Sequence, residues 1–342
     1  MTYSVGIVGL GGILESHLDG IASRPELRVT VVCDRLADLA KRWADECSCR
    51  GVTAFDGLLA TRPDIVVVGV PHGLHASLTV AALSAGCHVL VEKPMAMNAR
   101  EAQSMVDAAR KAKRLLQIGF QWRFTPAAQL LRKRVASGSF GDILYVRCQA
   151  LRRRGIPSWG VFGRKDLQGG GPMIDIGVHI LEMAHFIIGA PKPVSASAAC
   201  YTYLGDKKPE ALCDWGAWDY KAYTVEDLAV GFVKFSNGGS LVIESSFAAH
   251  IEKDVFTIQI MGSKGGATFD PLQIFTDEQG YMLNLTPAFS GSGDGFEYKM
   301  RHFVECVRDG KKCEAPGEDG LAVQRMLDAI YKSAGVKHEV RL

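Results

Sequence analysis

Cys87-His88-Val89-Leu90-Val91-Glu92-Lys93-Pro94 is the stretch on which the fold turns. An apolar run bounded by Gly86 and Pro94 reads as a buried strand of a parallel sheet. It ends abruptly in an acid, a base and a ring, at the strand tip where open α/β sheets hold ligands. Lys93 is expected to face a crevice lined by carboxylate or ligand groups, because an unpartnered buried ammonium is costly. A side chain snorkelling at the sheet edge is the alternative reading.

The same pattern recurs on both sides. Residues 65–70 are wholly apolar and stop at Pro71-His72-Gly73-Leu74-His75, while 77–84 and 99–112 carry helical patterns. In the latter, Ala102, Met105, Val106 and Ala109 make one apolar stripe, and a further strand at 115–119 closes the series. Strands alternating with helices predict a doubly wound parallel sheet.

At the N-terminus, Tyr3–Val8 feeds Gly9-Leu10-Gly11-Gly12, and a helix is expected over 13–23. Gly9 permits the tight turn, and Gly11 lets the backbone approach a pyrophosphate. Gly12 and Ile13 open a helix whose N–H groups favour an anion. Leu14 stands where the third glycine of the dinucleotide fingerprint is usual, and a tight turn without ligand is the other reading. A strand at 28–33 ends in Asp34, at the spacing expected of the acid that holds an adenosine ribose. Asp34 repels a 2′-phosphate and Arg35 attracts one, so NAD is favoured and NADP left open. Asp34 also precedes a helical stretch at 36–47 and reads equally as its N-cap.

Beyond Pro126 the pattern changes. A helix at 126–137 leads into β-like segments at 143–150, 194–202, 228–235, 240–249 and 254–261, with Asn237-Gly238-Gly239 as a hairpin turn. The expectation is an α/β domain with an open, mostly antiparallel sheet covered by helices on one face. The other face invites a homodimer or homotetramer. The resulting division is a dinucleotide-binding domain over 1–122 and a substrate-binding and oligomerisation domain over 123–342. The C-terminal helix is a candidate to pack back on the first domain.

Between the first two of these strands runs Gly169-Gly170-Gly171-Pro172-Met173-Ile174-Asp175-Ile176-Gly177-Val178-His179. Asp175 and His179 are spaced to share one face at the start of a helix running to Ile188. The acid is stabilised there as a charge, and the imidazole is a candidate proton acceptor. A capping aspartate beside a core histidine is the plainer reading. His185 falls on another face and reads as structural.

With 39 Lys and Arg against 37 Asp and Glu, the net charge of +2 offers no field to recruit nucleic acid or an anionic membrane. No apolar run approaches the ~20 residues of a membrane span, and Met1 leads into a strand without a basic leader. The nine cysteines are scattered, with no pair at zinc-site spacing, so reduced thiols in a cytoplasm and no metal are expected.

Taken together, these residues resemble the glucose–fructose oxidoreductase/inositol dehydrogenase/MocA (Gfo/Idh/MocA) family over nearly the whole chain. Gly9, Gly11, Gly12 and His17 match its opening turn. Pro71 and His75 match its P-N-x-x-H loop, with His72 in place of the asparagine. Glu92-Lys93-Pro94 and Asp175-x-Gly177-x-His179 match its two hallmarks, and Glu318-Asp319-Gly320 with Ala329-Ile330-Tyr331-Lys332-Ser333 its C-terminal helix. The resemblance implies a Rossmann domain, a nicotinamide held between two domains, and Lys93, Asp175 and His179 as the reactive constellation.

On that basis the expected activity is NAD(P)-dependent hydride transfer from a secondary alcohol of a sugar, sugar derivative or cyclitol. His179 is the base, Lys93 the donor to the same oxygen, and Asp175 the orienting acid. The nucleotide is expected on Gly9, Gly11, Gly12, Ile13, Asp34, Arg35, Pro71, His72, His75, Glu92, Lys93 and Pro94.

Arg123 reads as a substrate contact, as a residue that holds the crossover into the second domain, or as an interdomain salt bridge. Arg154, in the run Arg152-Arg153-Arg154, and Trp159 on the same excursion are further substrate candidates, a solvated loop being the alternative. Trp215 and Trp218 read as pyranose-stacking rings or as loop packing. Two other activities compete: glycoside cleavage through transient ring oxidation, and a non-catalytic nicotinamide sensor.

Overall fold

In the computed structural model, residues 2–288, 291 and 294–342 are described. The chain forms two compact units, Met1–Thr125 with Gly293–Leu321, and Pro126–Ser292 with Ala322–Leu342. The second half of the sequence is therefore not one contiguous domain.

The first unit is built on six strands: β1 (Tyr3–Val8), β2 (Leu27–Cys33), β3 (Arg50–Val52), β4 (Ile65–Val68), β5 (His88–Val91) and β6 (Leu116–Ile118). Their order is β3-β2-β1-β4-β5-β6 and every pairing is parallel. The direction of strand succession reverses between β1 and β4, the position where this topology opens a ligand crevice. Val67 and Leu90 have no exposed surface, which is why these strands read as unbroken apolar runs rather than alternating ones.

The helix Ala99–Ala112 begins in a reciprocal cap: Asn98 accepts from the Glu101 N–H, and Glu101 accepts from the Met97 N–H. Its expected stripe is present, with Ala102, Met105 and Val106 buried and Ala109 half-buried. A late helix, Gly295–Asp309, supplies Met300, Phe303 and Val304 to the same core as Val5, Ile7, Leu14, Val67 and Leu90.

The second unit carries nine strands: β7 (Ile143–Leu151), β8 (Pro193–Tyr201), β9 (Leu228–Phe235), β10 (Ser240–Ser246), β11 (Val255–Gly262), β12 (Gly265–Thr268), β13 (Gln273–Glu278), β14 (Tyr281–Leu285) and β15 (Val340–Arg341). Their order is β14-β13-β12-β11-β7-β10-β9-β8-β15; β7 and β10 pair parallel and the other neighbours antiparallel. The β9–β10 hairpin turns at Gly238, whose φ of +88° suits a residue without a Cβ.

One face of this sheet buries Val146, Cys148, Val233, Leu241, Ile243 and Ile258. Gly231 on that face lets Ile330 of the final helix, Gly317–Val336, approach to within 3.0 Å of where a Cβ would lie. The opposite face carries the Arg147–Glu244 ion pair at 2.8 Å and the exposed Val230 and Met261.

Several boundaries differ from expectation. The strand expected over 65–70 ends at Val68, since Gly69 and Val70 turn toward the Pro71 loop. The helix expected from Asp175 to Ile188 is composite: Met173–Gly177 is a π-helical turn and Val178–Ile187 is α-helical. β12 to β15 escaped the sequence reading, being short or largely exposed.

Candidate functional site

In the first unit the Gly9 turn, with φ of +90°, presses against the Gly69 carbonyl so closely that a Cβ would lie 2.4 Å from its oxygen. Gly11 and Gly12, by contrast, face open space. The helix Leu14–Ala22 follows, with Ile13 as its N-cap and no side-chain cap bond. The Leu10 N–H donates to Asp34 Oδ2 at 3.0 Å, and the Leu36 N–H to Asp34 Oδ1 at 3.0 Å. Asp34 therefore braces the glycine turn. It is not the N-cap of the next helix, Ala37–Glu46, a position held by Leu36. Leu14 packs into the core, and Arg35 is exposed. An open glycine turn, an uncapped helix start and an anchored acid at the tip of β2 suit a dinucleotide.

The Glu92-Lys93-Pro94 tip stands on a buried charge cluster. Glu92 Oε1 accepts from Lys299 Nζ at 2.8 Å and lies 3.1 Å from His17 Nε2. Burial opposes the Glu92 charge, but the Lys299 ammonium and His17 outweigh it and hold the carboxyl well below its ordinary range. Burial, then Lys299, pushes the His17 pKa down despite the neighbouring carboxylate. Gly119 makes room, since a Cβ there would lie 2.7 Å from the Glu92 carboxylate.

Glu92 was expected among the nucleotide contacts, yet it is buried and spent on Lys299, so it serves as a support for Lys93. Lys93 itself is half-buried, and its peptide to Pro94 is cis. His75 is a second support: Nδ1 meets the Pro94 carbonyl and Nε2 the Val70 carbonyl, each at 2.8 Å, tying the tips of β4 and β5 together. Burial lowers its pKa against the pull of those carbonyls. The buried His72 ring lies 5.5 Å from it. Pro71 begins the connecting turn.

Arg123 is a correction. Its side chain is fully buried, with Nη1 donating to Asp319 Oδ2 at 2.6 Å and to the Glu314 carbonyl at 2.7 Å. It therefore fixes the return of the chain within the first unit, closer to the expected role of holding the crossover than to a substrate contact.

In the second unit the glycine run and the π turn are held from beneath. Glu226 accepts from the N–H of Gly171 at 3.0 Å, the N–H of Met173 at 3.2 Å and the hydroxyl of Tyr331 at 2.7 Å. Burial raises the Glu226 pKa, these donors notwithstanding. A Cβ on Gly170 would collide with the Tyr331 hydroxyl and one on Gly171 with the Glu226 carbonyl, which accounts for both glycines. Gly177 lets the π turn sit against Ser245 of β10. A π turn often marks a functional site, and this one carries Asp175 and leads into His179. Asp175 is buried and His179 half-buried.

The three arginines diverge. Arg152 donates to the Gly155 carbonyl and lies over Trp215 at 4.3 Å; burial lowers its pKa against the opposing charge of Asp175. Arg153 donates to the Glu252 carbonyl. Arg154 donates to the Ala249 carbonyl, and its Nη2 lies 3.0 Å from His250 Nε2. Trp159, 58% exposed, stacks on Trp215 at 5.4 Å and 10°. Trp218 donates to the Gly205 carbonyl and packs with Tyr223 and Phe247, which is loop packing.

Lys299, Glu226 and the electrostatic influence of Asp175 on Arg152 were missed in sequence. Their one advance signal was Glu226-Asp227, two acids directly before an apolar strand.

A parallel sheet with this order, an open glycine turn and an acid at the tip of β2 define a Rossmann-type dinucleotide-binding protein. Residues 3–120 match the model described as "oxidoreductase family, NAD-binding Rossmann fold", and residues 132–342 that of "oxidoreductase family, C-terminal alpha/beta domain". The chain belongs to the Gfo/Idh/MocA family of oxidoreductases, with NAD as cofactor.

It is 36% identical to D-glucoside 3-dehydrogenase of Escherichia coli (strain K12), over 99% of this chain and 97% of that protein. It is 26% identical to inositol 2-dehydrogenase of Rhizobium meliloti (strain 1021), over 100% of both. The crystal structure of an oxidoreductase domain protein from Kribbella flavida superposes with a TM-score of 0.86 at 28% identity, covering 99% of each chain. Among the described residues, no helix is long and apolar enough to cross a membrane.

Proposed function

We propose that this protein is an NAD-dependent dehydrogenase that oxidises a secondary hydroxyl of a sugar, sugar derivative or cyclitol, with glycosides as the first substrates to test. The observation that carries the reading is the composite helix that presents Asp175 and His179 from a π turn locked by Glu226 and Tyr331. That preorganisation suits proton handling at a fixed oxygen. The 36% identity to an enzyme named D-glucoside 3-dehydrogenase supports the substrate class.

NAD, when bound, supplies the hydride acceptor. The glycine turn at Gly9, Gly11, Gly12 and Ile13 would hold its pyrophosphate, and Asp34 its ribose. His179 takes the hydroxyl proton. Lys93 donates a hydrogen bond to the same oxygen and stabilises developing alkoxide. Asp175 orients the substrate by accepting hydrogen bonds. Arg35 beside Asp34 keeps NADP open as a second cofactor. Arg154 and Trp159 remain candidates for the outer part of a substrate.

The half-exposed outer face of the second sheet, with Val230 and Met261 bare, supports a homodimer or homotetramer formed through it. Nine cysteines, all free thiols, support a reducing cytoplasm.

The test is a panel of glycosides, free sugars, sugar acids and inositols incubated with NAD or NADP, following reduced nicotinamide and identifying products. Accumulation of NADH with a keto product supports the reading. Glycosidic cleavage without net NADH indicates transient ring oxidation instead. Nucleotide binding without turnover on any of the panel would leave a sensor.

A further inference from the structure

Away from the residues used above, the helix Gly295–Asp309 and the segment that follows it bring three soft donors together. His302 and Cys306 are spaced to share a helix face, one turn apart. Gly310 then reverses the chain at φ of +68°, its N–H on the Cys306 carbonyl, and Cys313 returns beneath the last turn. His302 Nε2, Cys306 Sγ and Cys313 Sγ all lie within 4.8 Å of one another, with His302 Nε2 and Cys306 Sγ 3.3 Å apart. Donors around a tetrahedral zinc, at bond lengths of about 2.0–2.3 Å, stand roughly 3.5–3.8 Å from each other. The three atoms need shifts of no more than about an ångström to reach that spacing.

We propose that His302, Cys306 and Cys313 form a binding site for a thiophilic divalent cation of the zinc class. His302 Nε2 accepts the Glu314 N–H at 2.9 Å, so it is the unprotonated ring nitrogen, and ligation exchanges that N–H for the cation. Cys306 and Cys313 bind as thiolates, releasing their protons to solvent on metal entry. The fourth vertex falls to Gln117 Oε1, 3.3 Å from Cys313 Sγ, or to water. The surroundings favour a fixed site: Cys306 and Cys313 are buried, and Phe124 lies 5.1 Å from the His302 ring.

Such a metal pins the segment after Gly310 to the helix that carries Lys299, and so reinforces the support beneath Glu92. Its role is structural, since no donor belongs to the proposed reaction. The expectation of no metal rested on cysteine pairs alone. Here the third donor is a histidine, and the two thiols are separated by a helix end.

The experiment uses the full chain, reduced and stripped of metal, titrated with Co²⁺ and then Zn²⁺. The expected result is one equivalent of Co²⁺ with intense tetrahedral d–d bands and a thiolate-to-cobalt charge-transfer band, displaced by Zn²⁺. Both features should be lost in Cys306→Ser and Cys313→Ser and unchanged in the control Cys47→Ser/Cys49→Ser. X-ray absorption on the zinc-loaded wild type needs no variant, and should show sulfur at about 2.3 Å with nitrogen at about 2.0 Å. A first shell of nitrogen and oxygen alone, or a charge-transfer band that follows Cys47 and Cys49, overturns the proposal.

Discussion

Lys299 Nζ lies 2.8 Å from Glu92 Oε1, and the lysine has no solvent access. The pair joins residues 207 positions apart and sets an ammonium directly beneath the strand tip that ends in Lys93. Breaking a buried pair from one side leaves an uncompensated charge. Lys299→Met should therefore destabilise the protein by roughly 3–5 kcal/mol, and adding Glu92→Gln should recover part of the loss. Denaturant melts of the single and double variants measure this.

The same pair gives the protein an acid-sensitive component. Glu92 is held below its unfolded value of 4.5, so its contribution is fully present above that pH. It is lost as pH falls from there through the folded value. Melting temperature against pH should fall more steeply in acid for wild type than for Lys299→Met/Glu92→Gln.

Glu226→Ala leaves two backbone N–H groups and the Tyr331 hydroxyl without their acceptor. A loss of about 3 kcal/mol is expected, with a fall in kcat because the π turn bearing Asp175 loosens. Tyr331→Phe removes one donor and should cost about 1 kcal/mol. Paired melts and steady-state rates would show whether stability and kcat move together.

Lys93→Met should keep the fold and NAD affinity while lowering kcat by roughly 10²–10³-fold. His179→Asn should lower it by roughly 10²–10⁴-fold, as steady-state rates would show. Near-normal turnover in either variant removes that residue from the reaction.

Asp34→Ala should lower the ratio of kcat/KM for NAD over NADP by about tenfold or more, the worth of one hydrogen bond to a charged group. An unchanged ratio would show that Asp34 braces the Leu10 turn and does nothing further.

Arg123→Met should cost about 3 kcal/mol through the stranded Asp319 carboxylate and leave the substrate KM unmoved, as melts and kinetics on the same preparation would show.

The parallel sheet was readable because β4 is buried and apolar throughout, as are Val5–Val8 of β1 apart from Gly6 and Val89–Val91 of β5. β3 and β14, largely exposed, lacked that signal. At the candidate site, Lys93, Asp175 and His179 were singled out from motif spacing. Their supports were not, because Lys299 and Glu226 act over long sequence separations on groups that local pattern cannot connect. Arg123 stayed open between substrate contact, crossover brace and salt bridge for the same reason. Its carboxylate partner, Asp319, lies 196 residues away, and an isolated arginine after a strand carries no mark of burial.

The first unit borrows residues 293–321, and this has a consequence for biosynthesis. When the ribosome has released β6, the sheet is complete in sequence, yet the helix with Met300, Phe303 and Lys299 has still to be made. A nascent or truncated chain ending near Thr125 would expose that apolar surface and strand the Glu92 carboxylate. The nucleotide-binding half thus cannot mature ahead of the rest, and a gene shortened from its 3′ end past residue 322 would damage the N-terminal half although all six of its strands are still encoded.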